Sequence, residues 1–180
     1  MNRALPIIAA VLPFLFACSR SHQPVTSTSN AAYKTVQERK PADAATLTWY
    51  DFEAGYQKAV KDKKILLVDA YTDWCGWCKV MDRNTYSDQG IIAKLNADFV
   101  AVKFNPEKTR TYKFGNYTMT SDELLAWLGR GRSYGYPTSY FWLDPGAGEN
   151  LLVSVGYEDP ARFGATLDTV LKRKGNWVGA

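Results

Sequence analysis

The chain has 180 residues, 46% of them hydrophobic and 22% charged, with a formal net charge of +4. That composition excludes a wholly disordered chain and a multi-span membrane protein, and the length allows one ordinary domain with appendages. The charge is too small to argue for nucleic acid, and three Cys with one His do not supply a four-ligand zinc site.

The first 17 residues read MNRALPIIAAVLPFLFA, with Arg3 ahead of an apolar run of 14 residues. A membrane-spanning helix needs roughly 20, and Pro6 and Pro13 interrupt this one. The layout predicts a secretory signal peptide over residues 1–17. It ends Leu15-Phe16-Ala17-Cys18, which resembles a bacterial lipobox, although Phe16 is bulkier than is usual there. The resemblance implies that Cys18 becomes the lipidated first residue of an exported protein held on the periplasmic side of a membrane. Ser19 in place of Asp leans, by the same resemblance, toward the outer membrane. The alternative is an ordinary cleaved signal with an incidental Cys. With Cys18 acylated, two thiols remain, Cys75 and Cys78.

Residues 18–46 are rich in Ser, Thr, Ala, Asn and Pro and read as a lipid-anchored flexible tether with a reach of about 30 Å. His22, the single histidine, lies there and is read as a solvated linker residue. The folded domain is expected over residues 47–175. Trp49, Phe52, Tyr56, Ala59 and Val60 recur at helical spacing, which predicts a helix over 49–61. Residues 65–71 are a short apolar run, the pattern of a buried central strand. A helix follows from Cys75, interrupted near 84–89 and resumed with Ile91, Ile92 and Leu95 inward. Phe99 to Phe104 is a second strand.

Residues 105–119 read as a polar, basic insertion. Ser121 can cap a helix running to Arg130, with Leu124, Leu125 and Leu128 inward. Residues 138–143 form a strand, 144–148 a turn, and 151–155 its hairpin partner. Asp159-Pro160 opens the last helix, with Phe163, Leu167, Val170 and Leu171 on one face. This order predicts an α/β fold: a central mixed β-sheet flanked by helices on both faces.

The chemistry is concentrated in Trp74-Cys75-Gly76-Trp77-Cys78-Lys79, directly after the first strand. Two Cys separated by two residues at a helix start are close enough for a disulfide. Cys75, at the helix N-terminus, has its thiolate stabilised by free N–H groups and the helix dipole. Cys78, one turn in, is expected to be the more buried. One sulfur then attacks and the other resolves the mixed disulfide. A purely structural bridge would close a tiny loop and stabilise little, and a metal site lacks its remaining ligands.

At this motif the sequence resembles the thioredoxin superfamily, over about residues 47–173. The stretch Asp69 to Met81 is most similar to thioredoxin-like domains of exported bacterial proteins, including the thiol-reducing domain of the transmembrane electron transporter family. The resemblance implies a thioredoxin-like fold and a thiol–disulfide oxidoreductase acting on protein disulfides, with no metal or organic cofactor. It implies that Asp69, six residues before Cys75, is a buried carboxylate that moves the Cys78 proton. It implies that Lys103 stands near that carboxylate; otherwise Asp69 is a strand-end residue and Lys103 a surface one. It further implies that Tyr136 and Pro137, joined by a cis bond, face the Cys pair and bind substrate beside Trp74, Gly76 and Trp77.

The sequence departs from the family at Trp77, where cytosolic thioredoxins commonly have Pro, and it lacks the internal His of many oxidases and isomerases. It is also longer between Lys103 and Pro137. There Lys108, Arg110, Tyr112, Lys113 and Tyr117 could form a docking surface or a solvated loop. Gly129-Arg130-Gly131-Arg132 does not sit between a strand and a helix and is discounted as a phosphate loop. The expected function is therefore a periplasmic reductase of protein disulfides, supplied with electrons by a membrane thiol donor. A disulfide-forming oxidase or isomerase, or a non-catalytic binding or assembly module, are the alternatives.

Overall fold

The computed structural model describes residues 45–176. The expected signal peptide, Cys18, His22 and the tether up to residue 44 lie outside the described residues. In chain order the elements are β1 (Trp49–Tyr50), α1 (Phe52–Asp62), β2 (Ile65–Ala70), α2 (Gly76–Asn84), α3 (Gln89–Asp98) and β3 (Phe99–Phe104). They continue with β4 (Thr111–Phe114), β5 (Tyr117–Thr120), α4 (Ser121–Leu128), β6 (Thr138–Trp142), β7 (Leu151–Val155) and α5 (Pro160–Gly175).

Five strands form one mixed sheet in the order β1-β3-β2-β6-β7. The pairs β1–β3 and β2–β3 are parallel, and β2–β6 and β6–β7 are antiparallel. All six residues of central strand β2 are buried, because successive side chains point to opposite faces and both faces are covered. Leu66, Val68 and Ala70 share a core with Val102, Tyr140, Trp142, Phe52 of α1 and Leu124 and Leu128 of α4. Ile65 and Leu67 share the other with Ala101, Phe141, Met81 of α2, Leu95 of α3 and Phe163 and Leu167 of α5. The helices lie on both faces, and the fold is thioredoxin-like, as the pattern and the resemblance implied.

The structure corrects several expected details. Trp49 and Tyr50 belong to a strand, not to a helix. They pair in parallel with Ala101 and Val102, and the helix begins at Phe52. Their spacing fits a helical face by chance, since a two-residue strand leaves no alternation to detect. Helix α1 lies so close to β3 that a Cβ on Gly55 would stand 2.2 Å from Val102 Cγ2. Ala45 and Thr46 already accept hydrogen bonds from Gln89 and Asn96, so packing begins just ahead of Leu47.

The 105–119 segment is not a plain polar loop. It carries the first strand of a hairpin, β4–β5, turned at Gly115 with φ +52°, a conformation glycine adopts without strain. Tyr112 and Phe114 are buried, and Phe114 lies edge-on to Phe52 at 4.9 Å. Alternation at every second residue was present, but the charges between hid it. Helix α4 is capped by Thr120, not Ser121, in a reciprocal box with Glu123. It ends at Leu128, two residues before Arg130, which takes φ +51°.

Candidate active site

Helix α2 starts just after the chain leaves β2. Cys75 is its N-cap, and the Cys75 Sγ accepts a hydrogen bond from the Cys78 backbone N–H at 3.1 Å. The turn is closed by the Cys75 N–H, which donates to the Thr72 carbonyl at 3.2 Å. Cys75 and Cys78 form a disulfide with their Cα atoms 5.4 Å apart. The Cys78 N–H and the helix dipole would stabilise negative charge on Cys75 after reduction. Cys78 is not distinctly the more buried: the residues are 4% and 3% exposed, because the bond holds both sulfurs together.

Around the disulfide the surface is aromatic. Trp74 and Trp77 are 67% and 61% exposed, large values for tryptophan. Trp74 donates its indole N–H to Glu107 at 2.8 Å and lies edge-on to Tyr136 at 6.1 Å. Trp77 stacks on Tyr157 at 5.3 Å. Trp77, Tyr136, Pro137, Gly156 and Tyr157 line a groove of about 200 Å³. The Tyr136–Pro137 bond is cis, and the Pro137 carbonyl accepts from the Gly156 N–H at 2.8 Å. Gly76 lies exposed between the two cysteines. Thus Trp74, Trp77, Tyr136 and Pro137, far apart in sequence, are brought together. Tyr157, Gly156 and Glu107 join them and carried no sequence signal.

Asp69 is buried on β2, 1% exposed, in register with Lys103 of β3 on one side and Ser139 of β6 on the other. Lys103 Nζ donates to Asp69 Oδ2 at 2.6 Å and also to Asp82 of α2. The rings of Trp49, Tyr86 and Tyr71 surround the ammonium, with centroids 4.5, 5.1 and 5.3 Å away, a favourable setting for a cation. The other Asp69 oxygen, Oδ1, has no hydrogen-bond partner. Burial pushes the Asp69 carboxyl above its ordinary range, against the opposing pull of Lys103. Burial works against the Lys103 charge too, but the Asp69 and Asp82 carboxylates outweigh it and hold the lysine above its ordinary value. Asp82 and Tyr86 were missed in the sequence. Asp82 had one legible signal, its place one turn beyond Cys78.

The expected docking residues do not form one surface. Arg110 pairs with Glu53 and lies over the Tyr112 ring, Tyr112 is buried, and the Tyr117 hydroxyl donates to Glu149. These side chains are engaged within the domain; Lys108 and Lys113 remain exposed.

The sequence model of the family Thioredox_DsbH, described as "Protein of unknown function, DUF255", matches residues 27–146. The chain belongs to this family. It is a member of the thioredoxin superfamily. Among curated relatives it is 35% identical over 74 residues to thioredoxin of Alicyclobacillus acidocaldarius, covering 38% of this chain and 64% of that protein. It is 30% identical over 67 residues to thioredoxin-T of Drosophila melanogaster, covering 32% of this chain and 43% of that one. The matches therefore span less than two thirds of either relative. Among solved structures, a thioredoxin from Thermus thermophilus superposes with a TM-score of 0.57 at 24% identity, over 72% of this chain and 91% of that one. A protein titled DsbH Oxidoreductase gives 0.56 at 21% identity, over 79% and 96%. At these identities the two structures speak for the fold.

Proposed function

We propose that this protein is a thiol–disulfide oxidoreductase that reduces protein disulfides through Cys75 and Cys78. The observation that carries the reading is the Cys75–Cys78 disulfide at the N-terminus of α2, with Cys75 Sγ on a helix N–H and exposed aromatic rings on either side. The family match and the names of the thioredoxin and DsbH relatives support it.

In the reduced protein, the Cys75 thiolate attacks one sulfur of a substrate disulfide. A Cys75–substrate disulfide forms and the other substrate sulfur leaves as a thiolate. Cys78 gives its proton to the Asp69 carboxylate and attacks the Cys75 sulfur. The Cys75–Cys78 bond re-forms and the second substrate thiolate is released, so two electrons pass to the substrate. Trp74, Gly76, Trp77, Tyr136 and Pro137 hold the substrate chain, and Lys103 stands beside Asp69. The exchange requires no metal or organic cofactor.

The same proposal covers location. Residues 1–17 are a signal peptide, Cys18 carries the lipid, residues 18–46 are a tether, and the domain at 47–175 works on the periplasmic side of the outer membrane. A membrane thiol donor re-reduces Cys75–Cys78, because the periplasm is kept oxidising.

Two measurements test this reading. Cys75→Ser abolishes reduction of a protein disulfide, whereas Cys78→Ser accumulates mixed disulfides at Cys75. Preferential alkylation of Cys78 in the reduced protein would reverse the roles. Intact-mass analysis of membrane-extracted protein gives an acylated species beginning at Cys18; an unmodified soluble product refutes the anchor.

A further inference from the structure

Lys103 serves two carboxylates, and the second one has no part in the reaction as described above. Asp82 lies four residues beyond Cys78 on α2, hence on the same side of that helix. Its side chain is 47% exposed, while that of Asp69 is 2% exposed and that of Lys103 21%. The three groups thus run from solvent to the interior, with the ammonium in the middle, boxed by Trp49, Tyr71 and Tyr86.

Protonating Asp69 removes one of the two negative charges that Lys103 faces. If Asp69 were its one partner, each proton transfer from Cys78 would leave a largely buried ammonium unpaired, which is costly. The Asp82 carboxyl gives Lys103 a second hydrogen-bond partner that this step leaves in place. One cation shared between two carboxylates also leaves an excess negative charge, which favours a proton on the buried member.

Resting on the assignment of Cys75 and Cys78 as the redox pair, we propose that Asp82 is a positioning residue of this site: it shares the Lys103 ammonium with Asp69 and keeps that ammonium partnered, so that Asp69 stays basic enough to take the Cys78 proton. The titratable and polar groups that face Asp69 are Lys103 from β3, Asp82 from α2, Tyr86 from the turn after α2 and Ser139 from β6. Tyr86 stays neutral: burial, and then the Asp69 charge, push its hydroxyl well above the ordinary range. Asp82 and Lys103 are thus the charged side chains that modulate a basicity raised first by burial. Burial is the larger reason that Asp69 holds a proton more tightly than in water, and the Asp82 charge acts in the same direction, against Lys103.

The test follows Asp69 itself, in the oxidised full chain labelled with ¹³C at carboxyl carbons. In Asp82→Asn the Asp69 titration midpoint moves to lower pH, because the undivided lysine favours the carboxylate. In Asp82→Glu it stays near the wild-type position. In parallel, the protein is loaded at Cys75 with a small thiol as a mixed disulfide, and thiol release is followed against pH. Release by Asp82→Asn is about three- to tenfold slower at its plateau, and the acid limb of its profile moves down. An unchanged Asp69 midpoint in Asp82→Asn overturns the proposal, as does a midpoint shift with an unchanged release profile. Wild-type protein that releases no thiol would instead refute the redox reading, while the titration still decides whether Asp82 sets the proton affinity of Asp69.

Discussion

Asp69 and Lys103 are register partners across the parallel β2–β3 pair, with Lys103 Nζ 2.6 Å from Asp69 Oδ2. Despite that contact, the carboxyl is harder to ionise than in water, because burial outweighs the lysine. The sign of its effect on stability follows. A carboxyl whose folded pKa is raised stabilises the fold below its unfolded value of 3.8, and that contribution is lost as pH rises through the folded value. Above that unfolded value the Asp69 carboxyl therefore costs the domain stability relative to acid pH.

Asp69→Asn is accordingly expected to be more stable than the wild type at pH 7 with the disulfide intact. The difference shrinks as pH falls and vanishes below about pH 3.8, where both side chains are neutral. Urea titrations at a series of pH values check this. A variant less stable than wild type at pH 7 would show that the ion pair, not desolvation, dominates.

The proposed direction of electron transfer predicts a reduction potential. Gly76 and Trp77 place no cation between the cysteines, so the Cys75 thiolate depends on the helix terminus and the Cys78 N–H. Equilibration with glutathione buffers should give an intermediate or reducing value. A potential near about −120 mV, that of a strong periplasmic oxidant, would assign the protein to disulfide formation.

The groove beside Pro137 predicts a binding effect. Trp77 forms one wall of it, stacked on Tyr157. Trp77→Ala should raise KM for a protein disulfide by about three- to tenfold, with kcat for a small disulfide unchanged. Equal losses on both substrates would place Trp77 in the chemical step instead.

Phe114 decides whether the hairpin is structural. Its ring meets Phe52, Tyr56 and Trp142 at 4.9, 5.4 and 6.2 Å. Phe114→Ala is expected to cost about 3–5 kcal/mol in denaturant unfolding. A loss below about 0.5 kcal/mol, the range of surface changes, would return the segment to a solvated loop.

Gly55 is required by the closeness of α1 to β3. The 2.2 Å approach to Val102 Cγ2 means that Gly55→Ala forces the helix or the valine to move. The expected loss is about 1–3 kcal/mol, although alanine favours a helix by about 1 kcal/mol. Denaturant unfolding that showed a net gain would mean that α1 can shift outward freely.

By itself the sequence determined the elements with a strong period and the chemistry with fixed spacing. The apolar runs of β2 and β3, the apolar face of α5 and the Cys75–Cys78 spacing at a strand-to-helix junction are local patterns. Local patterns are legible because backbone period and side-chain type are read from neighbouring residues. The strand at Trp49 and the hairpin around Tyr112 and Phe114 were not legible. Trp49–Tyr50 is defined by its pairing with Ala101 and Val102, and Tyr112 and Phe114 are buried by α1 and β6, far away in the chain. The surroundings of the cysteines were likewise decided by tertiary structure alone. Sheet register set Lys103 beside Asp69, α2 then brought Asp82 onto the same ammonium, and packing of the Pro137 and Tyr157 loops set aromatic walls next to Trp77. Contacts between residues 21 to 80 positions apart follow from strand order and helix docking, which no spacing along the chain encodes.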